Sequence, residues 1–215
     1  MRRARRGADT SRVPRETTIW SLGGETAEIV HRLAQAAELG DATIGHQRRT
    51  SRLALAVARR LGLPTEARAQ LARASLLHDI GKLSVPQAIL AKPGPLTAAE
   101  RRVAESHTTF GWHLLSGLRA PLLREAAEIA LLHHENIDGS GYPLGIAGDE
   151  IPFGARVVRV CDAFDAMTSD RPYRPAGRVD QALEVLDRGR DRQFDGRVVD
   201  ALAAVSHLEA ARRAA

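Results

Sequence analysis

The chain has 215 residues, of which 44% are hydrophobic and 27% are charged, a composition typical of one globular domain. Its single cysteine, Cys161, excludes a disulfide framework and any zinc site built from cysteines. No apolar run approaches the roughly 18 residues that cross a bilayer. The basic start MRRARR is not followed by the apolar segment of a signal peptide. We therefore expect a cytoplasmic protein without membrane contact.

The net charge of +5 is concentrated at the N-terminus. Six arginines and two acidic residues within residues 1–16 contribute +4, so the rest of the chain is almost neutral. Such an arm could bind nucleic acid, but chain termini are commonly unstructured, and that interpretation is favoured. We predict a flexible basic arm over residues 1–24, with nucleic acid a disfavoured partner, and a folded domain over residues 25–212.

Capping residues, glycines and prolines divide the rest of the chain into helices, and the low aromatic content of 4% favours an all-α fold. Helices are predicted over Glu25–Leu39, Thr43–Leu61, Thr65–Ile80, Thr97–Leu118, Pro121–Glu135, Phe153–Ser169, Val179–Arg190 and Asp195–Arg212. We expect Thr65 to cap the third helix, and Thr97 with Glu100 to form a capping box for the fourth. Loops are predicted over Leu83–Pro95 and Asn136–Pro152; the second is long and glycine-rich, which is typical of a functional loop.

Histidines lie on the apolar faces of four of these helices. In the fourth helix, the predicted inward face is Val103, His107, Phe110, Gly111 and Leu114. The second, third and fifth helices place His46, His78 and His133 in the same way, and Asp162 and Asp165 share a face of the sixth. Burying so many polar groups would cost several kcal/mol each unless they share partners. A metal cluster is therefore favoured over separate core histidines.

The pair His78-Asp79 is the sharpest local feature, because neighbouring ligands at a helix end let the carboxylate bridge two cations while the imidazole binds one. The four histidines, Asp79, His134 next to the fifth helix's histidine and Asp162 of the sixth helix make seven candidate ligands. That is more than one tetrahedral ion needs, so two ions are predicted. Imidazoles and carboxylates without thiolate suit iron or manganese better than a structural zinc.

Four long segments occur in a fixed order: LLHDIGKLSVPQAIL, HTTFGWHLL, HHENIDGSGYPLGIAGDEIP and VCDAFDAMTSDRPYRP. Together they resemble the HD-GYP family, a branch of the HD-domain phosphohydrolases that hydrolyse cyclic di-GMP in bacteria. The resemblance covers about residues 25–205. It implies a compact multi-helix HD-domain bundle with a long Gly/Pro-rich GYP loop, and it identifies residues 25–212 as the HD-GYP domain.

The resemblance assigns roles by position. It implies a set of metal ligands in which Asp79 is the bridging carboxylate: His46, His78, Asp79, His107, His133, His134 and Asp162. It implies substrate contacts for the GYP element and three basic residues: Gly141, Tyr142, Pro143, Lys82, Arg171 and Arg174. Asp165 is a candidate partner that orients a ligand histidine, or else the cap of a neighbouring helix. Members with three metals have a glutamate where this chain has Ala42, so we expect two ions.

These inferences predict a cyclic di-GMP phosphodiesterase. A hydroxide that bridges two divalent ions, iron or manganese, is expected to attack phosphorus in line, with Asp79 and Lys82 as catalytic residues. The predicted product is pGpG, and further hydrolysis to GMP stays open. Two alternatives also stay open. One is a weakly active or inactive module that binds cyclic di-GMP or a protein, and the other is an HD phosphohydrolase that acts on another nucleotide. Signalling proteins, and a second copy bound through the Glu25–Leu39 helix, are further candidate partners.

Overall fold

The computed structural model describes residues 30, 32–36, 45–118, 121–170 and 175–214, with side chains up to residue 208. Within these ranges the regular elements are helices, besides one isolated β-bridge between Arg190 and Phe194. The elements in chain order are α1 (His46–Arg60), α2 (Thr65–Ser75), the 3-10 turn η1 (Ile80–Ser84), α3 (Gln87–Leu90), α4 (Ala98–Glu105), α5 (His107–Ser116), α6 (Pro121–Leu132), the 3-10 turn η2 (Gly148–Glu150), α7 (Phe153–Thr168), α8 (Val179–Arg188) and α9 (Gly196–Ala214). The all-α prediction is confirmed.

The helices pack around one apolar core. α1 packs against α2, α7 and α9, and α6 packs against α2, α5 and α7. Buried side chains from these helices fill the space between them: Ala54, Val57, Leu71, Ile129, Val157, Cys161 and Leu202. Removing this apolar surface from water is the main stabilising contribution to such a bundle. Cys161 belongs to this core, and burial raises the pKa of its thiol.

The third predicted helix is shorter than expected, because α2 ends at Ser75 and not at Ile80. After it, backbone amides bond three residues back instead of four, as in a 3-10 turn. The carbonyl of Ser75 also accepts a hydrogen bond from Nδ1 of His78, at 2.8 Å. The prediction that Thr65 caps this helix was wrong, since the extended Pro64 occupies the cap position.

The capping box at the start of α4 is confirmed: Oγ1 of Thr97 accepts from the amide of Glu100, whose carboxylate accepts from the amide of Thr97. The fourth predicted helix is nevertheless two helices, because the helix is interrupted at Ser106. The inward face was wrong for three members, which are 40–42% exposed: Val103, Phe110 and Leu114. His107 and Gly111 stay buried because they lie on the face of α5 that contacts η1. The three exposed residues lie outside this contact.

The remaining predictions differ from the structure mainly at element ends. α6 stops at Leu132 instead of Glu135, and α3 lies within the predicted loop Leu83–Pro95. Asn136–Pro152 is irregular apart from η2, as predicted. Residues 30 and 32–36 are helical and fall within the first predicted helix, whose other positions lie outside the described residues. None of the described helices combines the length and hydropathy that a bilayer crossing requires.

Candidate metal centre and GYP loop

The seven predicted metal ligands lie together in one cluster. α1 and α5 each begin with one of the histidines. His78 and Asp79 follow α2, His133 and His134 follow α6, and α7 adds an aspartate. Their donor atoms form two groups, and within each group all atoms lie within 4.8 Å of one another. The first group is Asp79, His107, His133 and His134, and the second is His46, His78 and Asp162.

A close contact between η1 and α5 brings two of these ligands together. A Cβ atom on Gly81 would collide with the main-chain carbonyl of His107 and would lie 2.7 Å from the nitrogen of Gly111. Only glycine lets the two backbones approach this closely. As a result, Oδ1 of Asp79, two residues before Gly81, lies 3.5 Å from Nε2 of His107.

Asp79 lies between the two groups and turns one carboxylate oxygen toward each. Oδ1 is 3.5 Å from Nε2 of His107 and 3.7 Å from Nε2 of His133. Oδ2 is 3.3 Å from Nε2 of His78 and 3.7 Å from Nε2 of His46. Burial raises the pKa of Asp79, but neighbouring positive charges, chiefly a lysine, outweigh burial and hold the pKa well below its usual range. The group is therefore a carboxylate that presents one oxygen to each ligand group.

Three of the histidines share one hydrogen-bonding arrangement. Nδ1 lies against a carbonyl of the preceding helical turn: His78 against Ser75 at 2.8 Å, His107 against Ala104 at 2.7 Å, and His133 against Ile129 at 3.0 Å. A carbonyl only accepts, so Nδ1 donates and Nε2 keeps its lone pair. Nε2 of His78 is buried and has no hydrogen-bond partner in the described structure. A buried lone pair of this kind is costly unless a cation binds it, so these nitrogens fit a divalent metal ion.

His46 has a carboxylate in place of the carbonyl. Its Nδ1 lies 2.7 Å from Oδ2 of Asp165, which also accepts from Nε and Nη2 of Arg49 at 2.6 and 3.1 Å through its two oxygens. Its Nε2 lies 3.2 Å from Oδ1 of Asp162. Burial lowers the pKa of His46, but the hydrogen bonds to Asp162 and Asp165 outweigh burial and raise the pKa to about 10. A positive charge is therefore favoured in this part of the site.

The other ligands are held in the forms that bind metal. Burial lowers the pKa of His107 to about 4, although the charge of Asp79 opposes that shift. Burial likewise lowers the pKa of His133, and that of His134 falls well below its usual value. Burial raises the pKa of Asp162, but the hydrogen bond with His46 outweighs it, and the net shift is downward. Neutral imidazoles and ionised carboxylates need lose no proton before a metal binds.

Lys82 brings an ammonium group to the edge of the cluster. Its Nζ lies 2.8 Å from Oδ2 of Asp79, and its side chain is 20% exposed. The cation is therefore paired with the central carboxylate while part of it stays accessible. Arg171 and Arg174, and Ala42 at the position that departs from the family, lie outside the described residues. Their predicted roles stay predictions.

The GYP element lies directly over one of the ligands. The ring of Tyr142 stacks on that of His134, with centroids 4.8 Å apart and planes inclined by 20°. A Cβ on Gly141 would collide with the backbone of the segment His134–Asn136, so glycine is required for the loop to fold back here. Pro143 follows a cis peptide bond and is half-buried. The element therefore borders the first ligand group.

Glu135 is a site residue that reasoning from the sequence missed. It is 2% exposed, and its Oε1 accepts hydrogen bonds from the amides of Leu144 and Gly145, at 2.7 and 3.1 Å. It therefore fastens the chain just beyond the GYP element to the end of α6. Its place directly after the two histidines was the available signal, but a sequence pattern does not show which backbone amides a carboxylate will reach.

Comparisons with known proteins match most of the chain. The family model described as HD domain matches residues 32–198. The chain is 46% identical over 176 residues to the cyclic di-GMP phosphodiesterase response regulator RpfG of Xanthomonas campestris pv. campestris (strain 8004), which covers 81% of this chain and 47% of that protein. It is 38% identical over 177 residues to a cyclic di-GMP phosphodiesterase of Thermotoga maritima, covering 82% of this chain and 48% of that protein. The chain thus spans about half the length of these relatives.

A solved structure gives the same result for the fold. The crystal structure of a cyclic GMP-AMP specific phosphodiesterase of Vibrio cholerae (V-cGAP3) is 33% identical, with a TM-score of 0.54. The match covers 84% of this chain and 40% of that chain. Both the sequence and the fold therefore place this chain among proteins with the same helical domain.

Proposed function

Because the chain belongs to the HD-domain family, we propose that it is a metal-dependent phosphodiesterase that hydrolyses cyclic di-GMP to linear pGpG. The observation that carries the proposal is the pair of ligand groups with Asp79 between them. A diester that bears negative charge needs positive charge at its oxygens and an activated water, and this cluster is built to gather cations. The names of the two relatives with 46% and 38% identity support the substrate.

The donor set fits two divalent ions, and we propose iron or manganese. It consists of five imidazoles and two carboxylates without a thiolate, which suits these metals. Asp79 would be shared, with His107, His133 and His134 on one side and His46, His78 and Asp162 on the other. When bound, such ions supply an activated water and neutralise charge on the phosphate.

The remaining groups of the chain bind and orient the substrate. Lys82 is placed to stabilise the negative charge that grows on the phosphate oxygens, because its ammonium lies beside the central carboxylate. Tyr142 offers an aromatic face next to His134, against which a base can stack, and Gly141 and Pro143 fix its place in the loop. We propose Arg171 and Arg174 as further phosphate-binding residues, on the resemblance alone. Asp165 holds the ring of His46 in place.

The experiment is anaerobic purification followed by metal quantification and turnover of cyclic di-GMP. We expect about two ions per chain in the wild type, and the loss of both metal and activity in Asp79→Ala. His113→Ala is the matched control, since that histidine is exposed and lies outside the cluster. Equal turnover by wild type and Asp79→Ala would refute the proposal.

A second substrate has one specific observation in its favour. The related solved structure is named as specific for cyclic GMP-AMP. Initial rates with the two cyclic dinucleotides, each at saturating and limiting concentration, separate the candidates. A higher kcat/KM for cyclic GMP-AMP would replace cyclic di-GMP as the proposed substrate, and tight binding of either without turnover would indicate a binding module.

The domain limits and surroundings belong to the same proposal. We propose residues 25–212 as the catalytic domain; the basic arm predicted over residues 1–24 lies outside the described residues. We also propose a cytoplasmic location, and signalling proteins or a second copy of the chain as partners; the name of one relative, a response regulator, supports a signalling role.

A further inference from the structure

α7 carries two arginines one turn apart in closely similar surroundings. The guanidinium of Arg156 lies over the ring of Phe153, 5.6 Å from its centroid, and that of Arg159 lies over Phe194, at 5.3 Å. Nε of each is buried without a hydrogen-bond partner in the described structure. The two side chains therefore differ mainly in what their terminal nitrogens contact.

Arg156 has two acidic partners and Arg159 has a neutral one. Nη1 of Arg156 lies 3.0 Å from Asp149 and 3.1 Å from Asp195. Nη2 of Arg159 donates to the amide oxygen of Asn136, at 3.0 Å. Within the described part of the chain, no carboxylate forms an ion pair with Arg159. Arg156 thus joins α7 to the segment before α9 and, through the exposed Asp149, to the far end of the loop Asn136–Pro152. Arg159 contacts the same loop at Asn136, close to the GYP element.

Asn136 begins that loop and contacts several of its residues. Its Nδ2 donates to Oγ of Ser140 at 3.0 Å, and that hydroxyl donates to Oδ1 of Asp138 at 2.6 Å. The backbone of Asn136 is also one of the surfaces that Gly141 touches, directly before Tyr142. The hydrogen bond from Arg159 therefore acts on the segment that holds Tyr142 against His134.

The positive charge of Arg159 also favours binding of an anionic substrate near the GYP element. Burial lowers the pKa of Arg159, while Asp162 and Tyr142 oppose that shift. A guanidinium stays protonated in proteins, so a positive charge without a paired carboxylate in the described structure lies near one ligand and near the GYP tyrosine. A substrate with two anionic phosphates gains from such a charge.

We propose that Arg159 is a positioning residue for the cyclic dinucleotide: acting through Asn136, it fixes the loop so that Tyr142 lies against His134 and can receive the substrate. The inference rests on the proposed function. It predicts a role in binding the dinucleotide and no role in binding the metal ions.

The test is a double-mutant cycle on the metal-loaded protein, with Arg159→Met, Asn136→Ala and the double variant. We expect each single variant to raise KM for cyclic di-GMP about tenfold, as for the loss of one hydrogen bond to a charged group, with little change in kcat. The double variant should show about the same KM as either single variant, because both remove one contact. Arg159→Lys should restore part of the affinity, since it keeps a charged donor.

Two controls separate positioning from a structural effect. Arg156→Met removes the twin arginine and should leave KM unchanged. Bis(p-nitrophenyl) phosphate, a small diester that offers no purine base to the loop, should be hydrolysed at the same rate by wild type and Arg159→Met. Metal content and unfolding midpoint are measured for every variant.

Three results would overturn the inference. They are fold-changes in KM that multiply in the double variant, an equal effect of Arg156→Met, and a parallel loss of metal and of both activities in Arg159→Met. Should the wild type hydrolyse neither diester, the proposed function fails. Binding of cyclic di-GMP to wild type and to Arg159→Met, measured by calorimetry, then tests the inference separately. About tenfold weaker binding by Arg159→Met supports it. Equal binding by the two proteins, or no binding by the wild type, contradicts it.

Discussion

The carboxylate of Asp195, directly before α9, accepts hydrogen bonds from two arginines, Arg197 and Arg156. Its Oδ1 accepts from the backbone amide of Arg197 at 2.9 Å, and its Oδ2 accepts from Nη1 of Arg156 at 3.1 Å. The side chain is 6% exposed. Burial raises the pKa of Asp195, but the hydrogen bonds from Arg197 outweigh burial and the net shift is downward. The ionised carboxylate is thus bound more strongly in the folded state than in the unfolded chain.

We expect Asp195→Ala to lower the free energy of unfolding by about 1–3 kcal/mol, because α9 loses a capping acceptor and Arg156 loses a buried partner. Asp195→Asn keeps the cap and should lose less. The lowered pKa means that the carboxylate's contribution is complete above the unfolded value of about 4 and is lost as the pH falls through the folded value. Urea unfolding at several pH values checks this, and a difference between wild type and Asp195→Asn that persists at low pH would contradict it.

Among the helices and turns, the contact between η1 and α5 is the one most sensitive to a single methyl group. Gly81 has the carbonyl of His107 where a Cβ would be, and a main-chain atom cannot swing aside. By contrast, Gly117 at the end of α5 has no atom within 4 Å of a built Cβ and has a φ of −70°. The two glycines therefore form a matched pair for substitution.

We expect Gly81→Ala to cost about 1–3 kcal/mol of stability and to lower metal content, because the two backbones must separate and His107 moves away from Asp79. Gly117→Ala should change the unfolding midpoint little. Denaturant unfolding and metal quantification on both variants provide the measurement. Normal metal content in a stable Gly81→Ala protein would show that the approach of η1 to α5 does not set the ligand distance.

The ends of the helices show what the sequence pattern could not predict. Capping residues, glycines and prolines correctly placed most helices, but they extended α2 to Ile80 and ran α4 and α5 together. At both places a ligand histidine donates to a carbonyl of the preceding turn, Ser75 in one case and Ala104 in the other. A hydrogen bond from a side chain to the backbone depends on a ring orientation, which a pattern of apolar positions does not contain.

For the whole molecule, the candidate ligands come from segments far apart in the sequence. The ligand His46 and the aspartate that holds its ring, Asp165, are separated by 119 residues. Apolar faces predicted that the histidines point inward, and inward faces of packed helices must meet, so their proximity was accessible from the sequence. The loop was not: the contacts of Glu135 and Arg159 depend on how an irregular segment folds back.

Because these ligands join α1, α5, α6 and α7, we expect metal ions to stabilise the entire domain. A ligand that binds only the folded state at 100 times its Kd adds about 2.7 kcal/mol to the free energy of unfolding. Treatment with a chelator should lower the melting temperature, and adding Mn²⁺ should restore it. Asp79→Ala is the control that should not respond, and a wild-type melting temperature independent of metal would argue against a cluster shared by these helices.

For four of the ligand histidines the structure shows the acceptor of Nδ1, and these acceptors differ in whether a substitution can remove them. Three rely on main-chain oxygens, which every amino acid supplies, so no substitution at the accepting position deletes the acceptor. His46 alone among them relies on a side chain, Asp165, which is itself held by Arg49. Substitutions at Asp165 or Arg49 can therefore change the basicity of the His46 imidazole. The tautomers of the other three histidines are fixed by the backbone of their own helices, whatever side chains those helices carry.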